Sequence, residues 1–295
     1  MAKEGLIVRA LSGFYYVKTG EGQEVECRAR GLFRKQEISP CVGDRVELEE
    51  TGEGKGQVVA ILPRKNSLVR PPVANLDLLV LVVSSCEPLP NLLVLDKLLA
   101  IAECQNIPPA IVLTKSDLED PSPVADIYRK VGYPVFVVSS ETGEGVEEVR
   151  AFLSGKLCAF TGNTGVGKSS LLNRIDPRLS IETAQISQKL GRGRHTTRHV
   201  QLYEQPGGGY IADTPGFSAV DLERFQVILK EDLELCFPEF EPYRTKCRFT
   251  GCSHTKEKGG AVLAAVEAGE TPKSRHESYL SLYEDAKNIK EWELK

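Results

Sequence analysis

The spacing of apolar and polar positions changes character twice along the chain. Up to residue 66, short apolar stretches, some alternating with polar residues, are broken by turns rich in Gly or Pro. Leu6–Ala10, Phe14–Lys18, Glu24–Ala29, Arg45–Glu49 and Gly56–Leu62 are predicted strands, with turns at Gly20-Glu-Gly22, Ser39-Pro40 and Gly52-Glu-Gly54. Five short strands in about 60 residues predict a small β-barrel, with an OB-fold as first choice and an SH3-like barrel as second. Asn66–Asn75, which contains Pro71-Pro72, is predicted to be a linker. Strand and helix patterns then alternate. Leu78–Ser84, Ala110–Thr114, Val135–Ser139 and Leu157–Thr161 are apolar strands, while Leu92–Gln105, Val124–Val131 and Gly145–Leu153 have helical spacing. That alternation predicts a mostly parallel sheet with helices on both faces. After about residue 220 it stops, and Leu222–Leu235, Ala261–Ala268 and Ser274–Trp292 read as helices. The predicted organisation is a barrel over residues 1–66, an α/β domain over 67–221 and a small helical domain over 222–295.

Composition narrows the setting. The chain has 295 residues, 41% hydrophobic and 26% charged, which suits a globular protein of two or three domains. The longest apolar run, Leu76–Val83, is interrupted by Asp77 and is too short for a bilayer. The first residues lack the apolar stretch of a signal peptide, so the expected location is the cytoplasm, with no membrane partner. A net charge of −4 hides one basic stretch: from Thr183 to Tyr203 there is no acidic residue, but Lys189, Arg192, Arg194, Arg198, His195 and His199 all occur. Such a stretch can hold phosphates even on an acidic protein. In the barrel, Arg28, Arg30, Phe33, Arg34 and Lys35 are a candidate nucleic-acid contribution. Of eight cysteines, Cys27, Cys41, Cys86, Cys104, Cys158 and Cys236 have no metal-like or redox-like spacing and read as free thiols. Cys247 and Cys252, with His254, form a candidate metal cluster.

Three motifs carry chemistry. Gly162-Asn163-Thr164-Gly165-Val166-Gly167-Lys168-Ser169 matches G-x-x-x-x-G-K-[ST] at every fixed position, between an apolar strand and a helix predicted from Ser169 to Ile175. Its backbone N–H groups can cradle phosphates, Lys168 can charge-pair with them, the Ser169 hydroxyl can ligate Mg²⁺, and Ser170 extends the set. Thr114-Lys115-Ser116-Asp117 has the form [NT]-K-x-D of a guanine-specifying loop. A carboxylate at Asp117 can accept both the N1–H and the 2-amino group of guanine, and adenine offers no such pair. Ser139 and Ser140, just after a strand, fit the remaining base-contacting loop. Asp213-Thr-Pro-Gly216 has the form D-x-x-G, with Asp213 toward Mg²⁺ and the Gly216 N–H toward a γ-phosphate. The bound nucleotide is therefore expected to be GTP.

The motif order is unusual, because Thr114–Asp117 precedes Gly162. A circular permutation explains it: the same sheet with the chain opened elsewhere. The basic stretch then occupies a first-switch position, where Thr196 or Thr197 could complete a Mg²⁺ shell. Phe217 stands where a water-orienting Gln is common, so unaided hydrolysis should be slow. By position, His195 is a candidate general base or water-orienting group; the alternative is that it contacts a partner or nothing.

On these motifs the sequence resembles the ribosome small-subunit-dependent GTPase A family, circularly permuted GTPases of bacteria. Gly191–Arg198, Phe237-Pro-Glu-Phe240, Ala265-Val-Glu-x-Gly269 and Cys247-x4-Cys252-x-His254 also fall in the family's order, so the likeness spans nearly the whole chain. The resemblance implies an OB-fold, a permuted GTPase domain and a zinc-binding C-terminal domain. It implies GTP hydrolysis in late 30S maturation, binding to 16S rRNA near the decoding region, stimulation by the subunit, and release; a monomer is expected. The family's zinc motif, C-x4-C-x-H-x5-C, fails at its last position, where Gly260 stands. Cys236, Glu257 or water could fill the place, or the site could be weak or empty. The contrasting reading is an RNA-binding adaptor with vestigial nucleotide binding. A phosphate-loop kinase would leave Thr114–Asp117 unexplained.

Overall fold

A computed structural model describes residues 2–31, 33, 38–69, 71–179, 200–213 and 227–289. The predicted switch, with Gly191–Arg198, His195, Thr196 and Thr197, lies outside the described residues. So do Gly216, Phe217, Arg34 and Lys35.

The N-terminal strands are β1 (Lys3–Leu11), β2 (Phe14–Thr19), β3 (Glu24–Ala29), β4 (Arg45–Gly52) and β5 (Lys55–Ile61). They run β1-β2-β3-β5-β4, and β4 pairs back onto β1, closing the barrel. Only β3 with β5 is parallel (Glu26↔Lys55 to Ala29↔Val58). This is the OB-like arrangement, and the SH3-like alternative falls. Alternation drives it: Val17, Val25, Cys27, Val46, Leu48 and Val58 point inward and are buried. Phe33 is also buried, so it is not the stacking surface expected of it.

The predicted linker is an ordered joint. It holds a hairpin of β6 (Ser67–Leu68) and β7 (Val73–Ala74). The buried Asn66 amide accepts from the Leu76 N–H (2.8 Å) and donates to the carbonyls of Leu76 (2.9 Å) and Asn106 (3.1 Å). Side-chain pairing to backbone has replaced the freedom that Pro71-Pro72 suggested.

Six strands follow: β8 (Leu78–Ser84), β9 (Pro109–Thr114), β10 (Val135–Val137), β11 (Leu157–Thr161), β12 (Gln201–Glu204) and β13 (Tyr210–Asp213). Their order is β10-β9-β8-β11-β13-β12, parallel except for β12, which meets the barrel through Arg9↔Gln201. Near-continuous apolar strands are what a sheet covered on both faces requires. Leu79, Leu81, Ile111 and Leu113 pack with Leu95, Leu98 and Leu99 of α1 (Leu92–Cys104) and Ala125 and Tyr128 of α2 (Ser122–Val131). The alternate residues Leu78, Val80, Val82 and Val112 pack with Val149 and Leu153 of α3 (Val146–Leu153) and Leu171, Leu172 and Ile175 of α4 (Lys168–Ile175).

The C-terminal part holds α5 (Glu241–Arg244), α6 (Ala261–Glu267) and α7 (Lys273–Lys287). The predicted helix over Leu222–Leu235 is corrected. Among the described residues there, helical backbone begins only at Leu233, as tight 3₁₀ turns over Leu233–Cys236 and Pro238–Phe240. Those turns bring Leu233, Cys236, Phe237 and Phe240 into one apolar cluster with Ala100 of α1 and Tyr279 of α7. Beside it lies Arg275, fully buried. It donates to Asp96 of α1 (2.8 Å) and to both Glu239 oxygens (2.7 and 3.2 Å), with Tyr128 also donating to Asp96 (2.9 Å).

Candidate nucleotide site and metal centre

Four parallel strands end on one edge of the sheet, and their C-terminal ends carry the predicted motifs. β9 ends at Thr114, β10 leads to Ser139, β11 ends at Thr161 just before Gly162, and β13 ends at Asp213 beside β11. From β8 the chain builds outward to β9 and β10, then crosses back to β11. The reversal between β8 and β11 is therefore a topological switch point, the place where open α/β sheets bind ligands.

The phosphate loop is shaped by glycine at two positions for different reasons. A Cβ on Gly162 would lie 2.4 Å from the Val82 carbonyl oxygen, so the backbone approach itself forbids a side chain. Gly167 sits at φ +87° and turns the chain into α4, directing that helix N-terminus at the loop. Asn163, Thr164 and Gly165 form its exposed crest, Val166 is buried beneath, and Lys168, Ser169 and Ser170 open the helix.

Thr114 joins this loop to the base motif. Its buried hydroxyl lies 2.6 Å from the Val166 carbonyl oxygen and 3.2 Å from that of Val83. Lys115 adopts a left-handed φ of +62° and its ammonium donates to the Glu87 carbonyl. The Ser116 N–H bonds the Val138 carbonyl (3.3 Å), and Asp117 is exposed at the sheet edge. Ser139 is buried and caps its own loop through the Thr142 N–H (3.1 Å), and Arg174 of α4 holds that loop at the Glu141 carbonyl (3.2 Å). The Ser116 and Ser140 hydroxyl oxygens are buried with no hydrogen-bond partner among the described residues. Orphaned polar atoms beside two loops fit a ligand with the donors and acceptors of a nucleobase. Sequence reasoning missed Ser85, whose hydroxyl donates to the carbonyls of Thr114 (2.8 Å) and Lys115 (2.9 Å). Nothing in the local pattern marks a serine just past a strand as a brace for another loop.

In the C-terminal part, the ligand atoms of Cys247, Cys252 and His254 all lie within 4.8 Å of one another. His254 Nδ1 faces the Cys247 sulfur at 3.5 Å. Its Nε2 pairs with Glu234 at 2.7 Å, the outer carboxylate that commonly orients a metal-ligating imidazole. Two thiols and an imidazole are soft to borderline donors and fit zinc. Cys236 does not join them. It lies buried beside Cys104, its sulfur directed at the Asp232 carbonyl, and contact with the Cys236 thiol brings the Cys104 thiol down to about 7. Glu257 is committed to the loop backbone, accepting from the N–H groups of Ser253 (2.9 Å), Thr255 (3.0 Å) and Lys256 (3.1 Å). Burial opposes its ionisation, yet the Ser253 hydroxyl and these backbone donors hold its carboxyl down to about 2.

On the barrel, sequence reasoning named Arg28 but missed Phe14, Arg9 and Tyr16 near it. Arg28 lies over the Phe14 ring (4.6 Å) and Arg9 over Tyr16 (3.8 Å), the mixed cationic and aromatic chemistry expected of Phe33 and its neighbours. Arg9 is paired with Glu24 (3.1 Å) and Arg30 with Glu49 (2.8 Å).

Comparison with known proteins agrees with this architecture. A model of the RsgA GTPase matches residues 61–223, and one of the RsgA N-terminal domain matches residues 4–58. A small ribosomal subunit biogenesis GTPase RsgA from Geobacillus sp. (strain WCH70) is 47% identical, over 97% of this chain and 98% of the relative. The protein of that name from Moorella thermoacetica is 45% identical, over 94% and 95%. Among solved structures, YjeQ from Thermotoga maritima matches with a TM-score of 0.82 and 34% identity, covering 98% of this chain and all of that one. YloQ, described as a circularly permuted GTPase, matches with 0.81 and 37%, covering 98% and 96%. With its base motif on β9, its phosphate loop after β11 and these likenesses along nearly its full length, the chain belongs to the RsgA GTPase family.

Proposed function

We propose that the chain hydrolyses GTP as a biogenesis factor of the small ribosomal subunit, using the site built from Thr114–Asp117, Ser139–Ser140, Gly162–Ser170 and Asp213. The observation that supports it best is the Thr114 bond to Val166, which links the loop read as base-binding to the loop read as phosphate-binding. Asp117 takes the guanine N1–H and 2-amino group, and the Ser140 N–H takes O6. The glycine loop and the α4 N-terminus take the phosphates, and Lys168 bridges the β- and γ-oxygens. Hard oxygen donors at Ser169 and Asp213, with Thr196 or Thr197, suit Mg²⁺ and would hold it. When bound, the ion neutralises charge on the transferring phosphoryl group. A water attacks the γ-phosphorus in line, with His195 a candidate to orient it. Phe217 has no group to do so, and the Gly216 N–H reads the γ-phosphate. Hydrolysis is slow until the 30S subunit or its 16S rRNA completes the site. The barrel's Arg9–Tyr16 and Arg28–Phe14 face contributes to RNA contact, and the chain works as a monomer in the cytoplasm.

The test is single-turnover and steady-state GTP hydrolysis with and without purified 30S subunits. Stimulation by 30S, lost in Lys168→Ala, is the expected result. Normal GTP binding with no stimulation would favour the contrasting adaptor reading, and tight ATP binding would remove the role given to Asp117.

A further inference from the structure

We propose that Cys247, Cys252 and His254 form a three-ligand zinc centre whose fourth position, on the Gly260 side, is open and exchanges water for a small anion. Among the described residues, the side-chain donors near the loop that might close the site are occupied. Both Glu257 oxygens are held by backbone N–H groups, and Oε1 is also held by the Ser253 hydroxyl. Glu234 is bound to the far nitrogen of His254, Cys236 is packed against Cys104, and the His276 Nε2 is engaged with the His254 carbonyl (2.8 Å). What adjoins the cluster instead is bare backbone. The Ala261 N–H donates to the Cys247 sulfur at 3.2 Å, which brings the preceding residue, Gly260, alongside that thiolate.

A zinc ion held by two thiolates and one imidazole carries no net charge and keeps a free valence. Cys₂His plus an exchangeable ligand is the pattern of reactive sites, whereas closed structural sites have four protein ligands. The surroundings favour an anion there, since the exposed side chains of Lys246, Arg248, Lys256 and Lys258 flank the loop and the adjoining carboxylates, Glu257 and Glu234, are already engaged with backbone N–H groups and His254. Both cysteines are only half-buried, so the centre is approachable from their side, while His254 and Gly260 are buried.

Gly260 also supplies the control. Its φ is −74°, ordinary for any residue, and a Cβ there would meet the Glu257 carbonyl oxygen at 3.2 Å and Leu263 Cδ1 at 3.4 Å, a tolerable fit after small shifts. A cysteine can therefore be accommodated at this position, beside the Cys247 thiolate.

The experiment loads the full-length chain with Co²⁺ in place of zinc, follows its visible and thiolate-to-metal absorption, and titrates sodium azide. Wild type is expected to bind one Co²⁺ with two-thiolate intensity and to shift its visible bands with azide. Gly260→Cys is expected to raise the charge-transfer intensity about one and a half times and to lose the azide response. Its metal affinity, by chelator competition, should tighten by at least the roughly 10- to 100-fold that outer contacts are worth. A wild-type spectrum that azide leaves unmoved would overturn the proposal, because the chain itself would then fill the fourth place. So would failure of wild type to bind Co²⁺ at all. Should Gly260→Cys not fold, the azide titration of wild type decides alone.

Discussion

Thr114→Val isolates the link between base recognition and phosphate binding. Valine keeps the shape of the buried side chain and deletes only the hydroxyl that lies 2.6 Å from the Val166 carbonyl and 3.2 Å from that of Val83. A net hydrogen bond contributes about 0.5–1.5 kcal/mol, and stranding a buried acceptor raises the loss to about 1–3 kcal/mol. If the loss falls on loop placement, GTP binding weakens by about 5- to 100-fold, at 1.4 kcal/mol per tenfold. Isothermal titration with GTP measures that, and a urea melt of the nucleotide-free chain measures how much falls on stability instead. Thr114→Ser, which keeps the hydroxyl, should bind nearly as wild type. An unchanged GTP affinity in Thr114→Val, with all the loss in the melt, would refute the coupling and leave the bond a purely structural one.

Other outcomes follow from the same contacts. Asp117→Asn should weaken GTP by about 10- to 100-fold, the scale of losing a charge-assisted pair, and improve binding of xanthosine triphosphate, whose 2-oxo group suits an amide donor; competition binding of both nucleotides checks it. Arg275→Met strands Asp96 and Glu239 in a buried setting and should cost about 3–5 kcal/mol in denaturant unfolding. Burial works against ionisation of Asp77, but the Leu157 N–H and the Lys65 ammonium outweigh it and hold its carboxyl below the usual range. Its contribution is therefore complete above the unfolded value of about 3.9 and fades as pH falls through the lower folded value; melts of wild type and Asp77→Asn should converge there.

Elements with strong periodicity were legible in the sequence. β3, β8 and β11 have the predicted bounds, because alternating or continuous apolar runs leave little choice of face. The motif strands were legible for the same reason. What local pattern missed was set by partners distant in the chain. Asn66 orders a supposed linker by reaching Leu76 and Asn106. Leu233–Cys236 tightens into 3₁₀ turns to reach α1, some 130 residues earlier. Phe33 is drawn into the core, and the aromatic rings that lie beside arginines are the half-buried Phe14 and Tyr16. The Glu234–His254 pair spans residues that carry no shared motif.

The buried Arg275 bears on how far the protein is modular. Cutting the chain near residue 222 would excise the whole C-terminal part and take away the cation that neutralises Asp96, leaving that carboxyl in an apolar setting with only the Tyr128 hydroxyl. It would also bare the face of α1 around Ala100 and Cys104. A truncated nucleotide-binding fragment should thus be poorly soluble despite an intact phosphate loop. A fragment that keeps α1 covered has to keep the C-terminal helices that pack on it.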